Sequence, residues 1–307
     1  MLTVVIVVVL ALLALLAFDA FFPATAARLG IGLERWRSGL SLRQGEADGL
    51  SMPYLEGGAG EALVLLHGFG ADKDNFTYAA RHLTPRFRVV IPDLPGFGDA
   101  GRDLTASYRI PDQVRRLHEF LHGLGIERCH LGGSSMGGQI ALEYAALYPD
   151  EVQSLWLLAP AGTAAAYDTE PFHTYRSKGT SPLLLDRPGD IEALLRVAMQ
   201  RRPFMPPSYR KILGRRGAAD RSLHEKLIAQ LVSGSPLLEN HIESVPAPAL
   251  IVWGEEDRLL NPKAAETVRR LLPNSEVVIM PGIGHLPMLE SPRRAAADFK
   301  DFLSRRS

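Results

Sequence analysis

Residues 133 to 137 read Gly-Ser-Ser-Met-Gly, the pattern G-x-S-x-G with Ser135 at its centre. The run follows the apolar stretch CHLGG and opens a helical one, GGQIALEYAALY. A nucleophile on such a strand-to-helix turn must hold a strained backbone, and glycine at 133 and 137 removes the Cβ atoms that would collide there. The helix start then offers backbone N–H groups to developing negative charge. A serine hydroxyl is a weak nucleophile and needs a histidine base, itself oriented by a carboxylate. Both follow along the chain. Of the nine histidines, His285 alone follows the last apolar strand, in PGIGHLPMLESP, a glycine-rich loop with room for an imidazole to reach the turn. Asp257 lies in WGEEDRLLNP after ALIVW, and its neighbours Glu255 and Glu256 read as solvated charges. The oxyanion needs two donors. The backbone N–H of Met136, next to the nucleophile, supplies one, and that of Phe69, after the His67-Gly68 turn, supplies the other. The HGFG run also suits a tight turn for its own sake.

These side chains need a scaffold, and the chain supplies one from residue 60 onward. Near-continuous apolar runs mark strands at Leu63–His67, Arg88–Pro92, Cys129–Gly133, Ser154–Leu158, Ala249–Trp253 and Glu276–Met280, buried on both faces as in a parallel sheet. Helices fall between or after them at 111–122, 138–147, 262–272 and 291–304. This alternation predicts an α/β fold, a mostly parallel doubly wound sheet with function at the carboxyl ends of its strands. The rhythm breaks between residues 161 and 245, where prolines abound and no strand pattern occurs. Two helices are expected there. Asp190 would cap one containing Ile191, Leu194, Leu195 and Ala198; Ser222 with Glu225 would form a capping box for another containing Leu223, Leu227, Ile228 and Leu231. An all-helical insertion between strands reads as a lid over the active face, or as a packing excursion.

Together HGFG, PDLPGFG, GGSSMGG, WGEEDRL and GIGHLPMLESP, in this order, resemble the α/β-hydrolase fold family across residues 52 to 305. The resemblance implies Ser135, Asp257 and His285 as a catalytic triad and residues 161–245 as a helical lid. Within the family, HGFGADKDNF beside the SMGG elbow and an apolar N-terminus is similar to membrane-bound monoacylglycerol lipases and to bacterial lipases and phospholipases A. That similarity implies hydrolysis of lipid acyl esters through an acyl-enzyme on Ser135, with no metal and no cofactor. The C–C bond hydrolases of ring-fission products share the elbow and form a second reading; they are generally soluble, so an anchor speaks against them. Dehalogenases and epoxide hydrolases use an aspartate nucleophile, which Ser135 excludes. A non-catalytic receptor or scaffold of this fold would not need Ser135, Asp257 and His285 together.

Residues 2 to 18 carry no charge, and Thr3 is their only polar side chain. A helix of that length spans roughly 25 Å, and running on through Asp19 to Phe22 reaches the ~30 Å of a hydrocarbon core. A cleaved signal peptide would want a basic start, which is missing, although Ala24-Thr25-Ala26 offers a cleavage site. Beyond Pro23, Leu29, Leu33, Trp36 and Leu40 recur at helical spacing among Arg28, Arg35, Arg37 and Arg43. This pattern suits an interfacial helix, or one packed on the body, and Gly30, Gly32 and Gly39 weaken either. The expected organisation is therefore a transmembrane anchor at 1–22, a juxtamembrane helix at 23–43, a core at 44–160 and 246–307, and a lid at 161–245. The expected location is a bacterial-type inner membrane, crossed once, with the bilayer and its lipids as partners and a homodimer through residues 1–43. The arginines after the span favour a cytoplasmic body, but an uncharged front end leaves topology open. The 34 Lys+Arg balance 34 Asp+Glu, which argues against nucleic acid as a partner. Cys129, the single cysteine, excludes an intramolecular disulfide and a thiolate zinc cluster.

Overall fold

A computed structural model describes residues 1–243 and 245–306. In chain order the strands are β1 (Ser41–Arg43), β2 (Glu46–Ala47), β3 (Leu50–Ser51), β4 (Tyr54–Gly57), β5 (Ala62–Leu66), β6 (Arg88–Pro92), β7 (Cys129–Ser134), β8 (Val152–Leu158), β9 (Ala249–Gly254) and β10 (Ser275–Met280). The helices are α1 (Leu2–Phe21), α2 (Pro23–Arg37), α3 (Thr77–Ala80), α4 (Ile110–Gly123), α5 (Met136–Leu147), α6 (Glu170–Lys178), α7 (Ile191–Ala198), α8 (Pro207–Ala219), α9 (Arg221–Val232), α10 (Ala264–Leu271), α11 (Pro287–Glu290) and α12 (Pro292–Ser304). Eight strands form one sheet in the order β1-β4-β6-β5-β7-β8-β9-β10, while β2 and β3 pair as a ribbon. From β6 to β10 every pairing is parallel; β4 and β1 add an antiparallel edge.

Strand periodicity divides the core between two faces. Val64 and Leu66 of β5, with Ile251 and Trp253 of β9, join Leu117 and Phe120 of α4 and Val268 of α10. Their neighbours Leu63, Leu65, Leu250 and Val252 turn the other way, onto Ala79 and Ala80 of α3 and Phe299 and Phe302 of α12. There Trp156 stacks on Phe299 with centroids 5.0 Å apart. Cys129 is buried at the start of β7, and burial pushes its thiol up to about 12.

Three local expectations need correction. The juxtamembrane helix stops at Arg37 rather than 43: Gly39 turns the chain at φ +66, and residues 41–43 become β1, paired to β4. Leu40 is therefore buried off the helix. Between β8 and β9 the described residues form four α-helices, α6 to α9, where two are expected. Neither expected cap forms. Asp220 precedes α9, so Ser222 lies inside it. Asp190 stands before α7, but its carboxylate turns back to accept the N–H groups of Asp186 (3.1 Å) and Arg187 (3.0 Å).

Helix α1 is long and apolar enough to cross a membrane, with a mean hydropathy of 3.0 over Thr3–Phe21. Pro23 bars its continuation, because the residue before proline avoids helical dihedrals and Phe22 sits at φ −126, ψ 54. Helix α2 then docks on the body by one face. Arg35 forks onto Asp74 at 2.7 and 2.6 Å, Glu34 pairs with Arg81, and Ala27 is buried. Its opposite face exposes Leu29, Leu33 and Trp36. Asp19, near the end of α1, accepts the Ser208 N–H at 3.2 Å and the Ser208 hydroxyl, supplying the start of α8 with the acceptor it otherwise lacks.

Candidate active site

Ser135 stands between β7 and α5 with φ 55 and ψ −118, a region costly for any residue with a Cβ. Backbone bonds hold it there. Its N–H donates to Leu158 O at 3.0 Å, and its carbonyl accepts the N–H groups of Gln139 (3.1 Å) and Ala161 (3.0 Å). The glycines on either side allow the turn to close. A Cβ on Gly133 would lie 2.1 Å from Gly137 O, and one on Gly137 would lie 2.2 Å from Leu66 O.

Asp257 and His285 leave the carboxyl ends of β9 and β10, and the fold brings them together. The His285 Nδ1–H donates to Asp257 Oδ2 at 2.7 Å. Trp253 Nε1 donates to the same oxygen at 2.9 Å, while Leu259 N–H (2.8 Å) and Leu260 N–H (3.0 Å) donate to Oδ1. Every acceptor site of the carboxylate is engaged, which fixes its plane and, through it, the imidazole. Nδ1 is thereby committed as a donor, which leaves Nε2 as the ring nitrogen able to accept a proton. Ser135 and His285 line one cavity. Glu255 and Glu256 point to solvent.

The second donor loop is held as firmly. His67 is fully buried; its Nδ1 hydrogen-bonds Gly68 O at 2.8 Å while Leu94 N–H donates to Nε2 at 3.0 Å. Burial pushes its pKa below the usual histidine range, so the ring is neutral with its proton on Nδ1. Lys73, a few residues on, is buried between Asp93 (2.6 Å) and Asp99 (2.7 Å). Arg216 of α8 reaches Asp72 at 2.9 Å and Asp99 at 2.8 Å. Gly68 comes close enough to the nucleophile that a Cβ there would lie 3.2 Å from Ser135 Cβ. Among the described residues, neither Phe69 N–H nor Met136 N–H donates to a backbone acceptor.

Glu290 has no assigned role in the run GIGHLPMLESP, yet the structure makes it a positioning residue. Glu290, five residues after His285, accepts the N–H groups of Gly284 (3.0 Å) and Leu286 (3.2 Å), which flank the histidine. It also accepts Gln200 N–H (2.8 Å) and Arg201 N–H (2.7 Å) from the segment after α7. His285 N–H itself donates to Ala198 O, the end of α7, at 2.8 Å. Glu290 thus bolts the histidine loop to the helical insertion. A Glu290→Gln side chain must turn its NH2 toward backbone donors whichever way it is placed. We expect kcat to fall roughly 10- to 100-fold, the scale of a displaced catalytic group, with KM little changed. Steady-state kinetics on a chromogenic ester checks this; an unchanged kcat would show that the loop holds without it.

The cavity has a volume of about 470 Å³, within the range of small-molecule sites. Its lining includes Ser135 and His285, Phe172, Leu195 and Met205 of the insertion, and Ala27, Ile31 and Leu33 of α2. Its walls are mainly apolar, so it suits a hydrocarbon group attached to a polar reacting centre.

The chain is similar to known proteins across most of its length. The family described as alpha/beta hydrolase fold matches residues 61–292. Lipase 1 of Psychrobacter immobilis is 35% identical over 281 residues, covering 89% of this chain and 87% of that protein. The human monoacylglycerol lipase ABHD6 is 29% identical over 253 residues, covering 79% and 75%. The crystal structure of a bacterial membrane phospholipase A superposes with a TM-score of 0.89 at 39% identity, covering 99% of both chains. With an elbow serine, a carboxylate-held histidine and these relatives, the chain belongs to the α/β-hydrolase fold family, as a carboxylic ester hydrolase of the lipase type.

Proposed function

We propose that the protein is a membrane-anchored lipase that cleaves acyl esters of membrane lipids, a monoacylglycerol, lysophospholipid or phospholipid, through an acyl-enzyme on Ser135. His285 Nε2 takes the serine proton as Oγ attacks the ester carbonyl. Met136 and Phe69 N–H groups bind the tetrahedral oxyanion, and the protonated histidine gives its proton to the departing alcohol. Asp257 stabilises the imidazolium. Water, activated by the same imidazole, then releases the fatty acid. In this reading α1 is the anchor and residues 161–245 are the lid.

The observation that carries the lipid substrate is the lining of the cavity, which Ser135 and α2 share. Its walls include Ser135 and residues of α2, the helix that follows α1 directly, with the exposed Leu33 and Phe204 among them. An acyl chain could therefore leave the bilayer and reach Ser135 along apolar walls. Each methylene buried on that path is worth roughly 0.8 kcal/mol. With full-length protein in detergent, kcat/KM should rise by more than roughly tenfold from short to medium acyl chains, across a series of esters with varied headgroups. A preference for short, water-soluble esters, or turnover of a vinylogous diketone and of no ester, would sink the proposal. Deleting residues 1–22 should move the protein from the membrane pellet to the supernatant, since that deletion removes the whole apolar span.

A further inference from the structure

Near the C-terminal end of α4, His118 and His122 stand one helical turn apart. Both Nε2 atoms converge on a single atom of the α5–β8 connection, Glu151 Oε1, each at 3.2 Å. The three candidate ligand atoms lie within 4.8 Å of one another. Ligands bound at about 2.0–2.1 Å in a tetrahedron stand roughly 3.3–3.4 Å apart, so two of the three spacings are already those of a zinc site. The surroundings orient each ligand. Tyr144 O–H donates to Glu151 Oε2, which leaves Oε1 to the histidines. The His118 ring is stacked on Tyr148 with centroids 4.1 Å apart, which sets its plane. Without a metal, both imidazoles must spend an N–H on one carboxylate oxygen. A divalent cation would replace both protons and use all three lone pairs. His122 is 44% exposed, so water can complete the shell.

We propose that His118, His122 and Glu151 form a divalent-metal site of the zinc class, tying the C-terminal half of α4 to the α5–β8 connection. Two imidazoles and one carboxylate suit zinc and its neighbours rather than calcium or magnesium, which want oxygen ligands. Tyr144 acts in the outer shell, holding the ligating carboxylate. The site lies at the far end of α5 from the nucleophile; twelve helical residues separate them by roughly 18 Å. Its role is therefore to stabilise the fold rather than to take part in ester cleavage.

The test uses full-length protein in detergent, stripped with a chelator and titrated with Zn²⁺, and with Co²⁺ as a spectroscopic probe. We expect one equivalent to bind, a tetrahedral Co²⁺ spectrum, and a rise in Tm of roughly 5 °C at a hundredfold excess over Kd. His122→Ala, at an exposed position where folding should survive, loses the shift, and Glu151→Gln weakens it. A wild-type protein that shows no shift, or a His118→Ala/His122→Ala variant that keeps it, overturns the assignment.

Discussion

Ser135→Ala should abolish ester hydrolysis while leaving a protein that folds and melts like the parent. The expected loss in kcat is roughly 10³- to 10⁶-fold, the scale seen when a triad nucleophile is removed. The fold should survive because the elbow is held by backbone atoms. Ser135 N–H and C=O keep their bonds to Leu158, Gln139 and Ala161 whatever the side chain. The strain at φ 55, roughly 1–2 kcal/mol for any residue with a Cβ, is the same for alanine as for serine. A fluorophosphonate probe should label the parent and not the variant, and their thermal melts should overlay. Undiminished turnover of a short ester by a folded variant would mean that Ser135 is not the nucleophile, and the acyl-enzyme route would fall with it.

The parts of this site that the sequence makes legible are those encoded within a few residues. The elbow is one, because its glycines, nucleophile and strand-to-helix switch occupy one short run. Asp257 and His285 are legible because each follows an apolar strand directly, and strand ends are where this architecture places chemistry. What escapes is anything settled by partners distant in the chain. Glu290 acts on Gln200 and Arg201, some ninety residues earlier. Asp72 gains its ion-pair partner only when Arg216 arrives from α8, which also joins Lys73 on Asp99. Helix α8 was itself hidden by glycine. A Cβ at Gly214 would lie 2.1 Å from Pro188 O, so close packing requires there a residue with poor helix propensity. The antiparallel edge escaped because β1 and β4 are short and partly polar, and pairing rather than periodicity makes them strands. His118, His122 and Glu151 form no local motif either, since the carboxylate lies about thirty residues from the histidines.

Asp257→Asn should be nearly as damaging as loss of the nucleophile, for a subtler reason. The carboxylate accepts four hydrogen bonds and donates none: His285 and Trp253 on Oδ2, Leu259 and Leu260 on Oδ1. An asparagine has one accepting oxygen and one donating NH2, so one side of the group must now face donors with a donor. Backbone N–H groups and the indole cannot change their character, but the imidazole can. With the amide oxygen kept toward Leu259 and Leu260, the NH2 faces His285 and turns Nδ1 into an acceptor. The ring proton then sits on Nε2, the atom that must receive the serine proton. The Trp253 indole N–H loses its acceptor, the imidazole keeps a partner, and the base is lost. The expected fall in kcat is about 10⁴-fold, with KM changed little because the cavity walls are untouched. Asp257→Ala should fall at least as far and also lower Tm, since it strands the Leu259 and Leu260 N–H groups and the Trp253 indole without an acceptor. If Asp257→Asn retains a tenth or more of the parent's kcat, the carboxylate anchors the loop rather than setting the tautomer of His285. Its worth would then appear in thermal melts of the alanine variant, not in the rate of acylation.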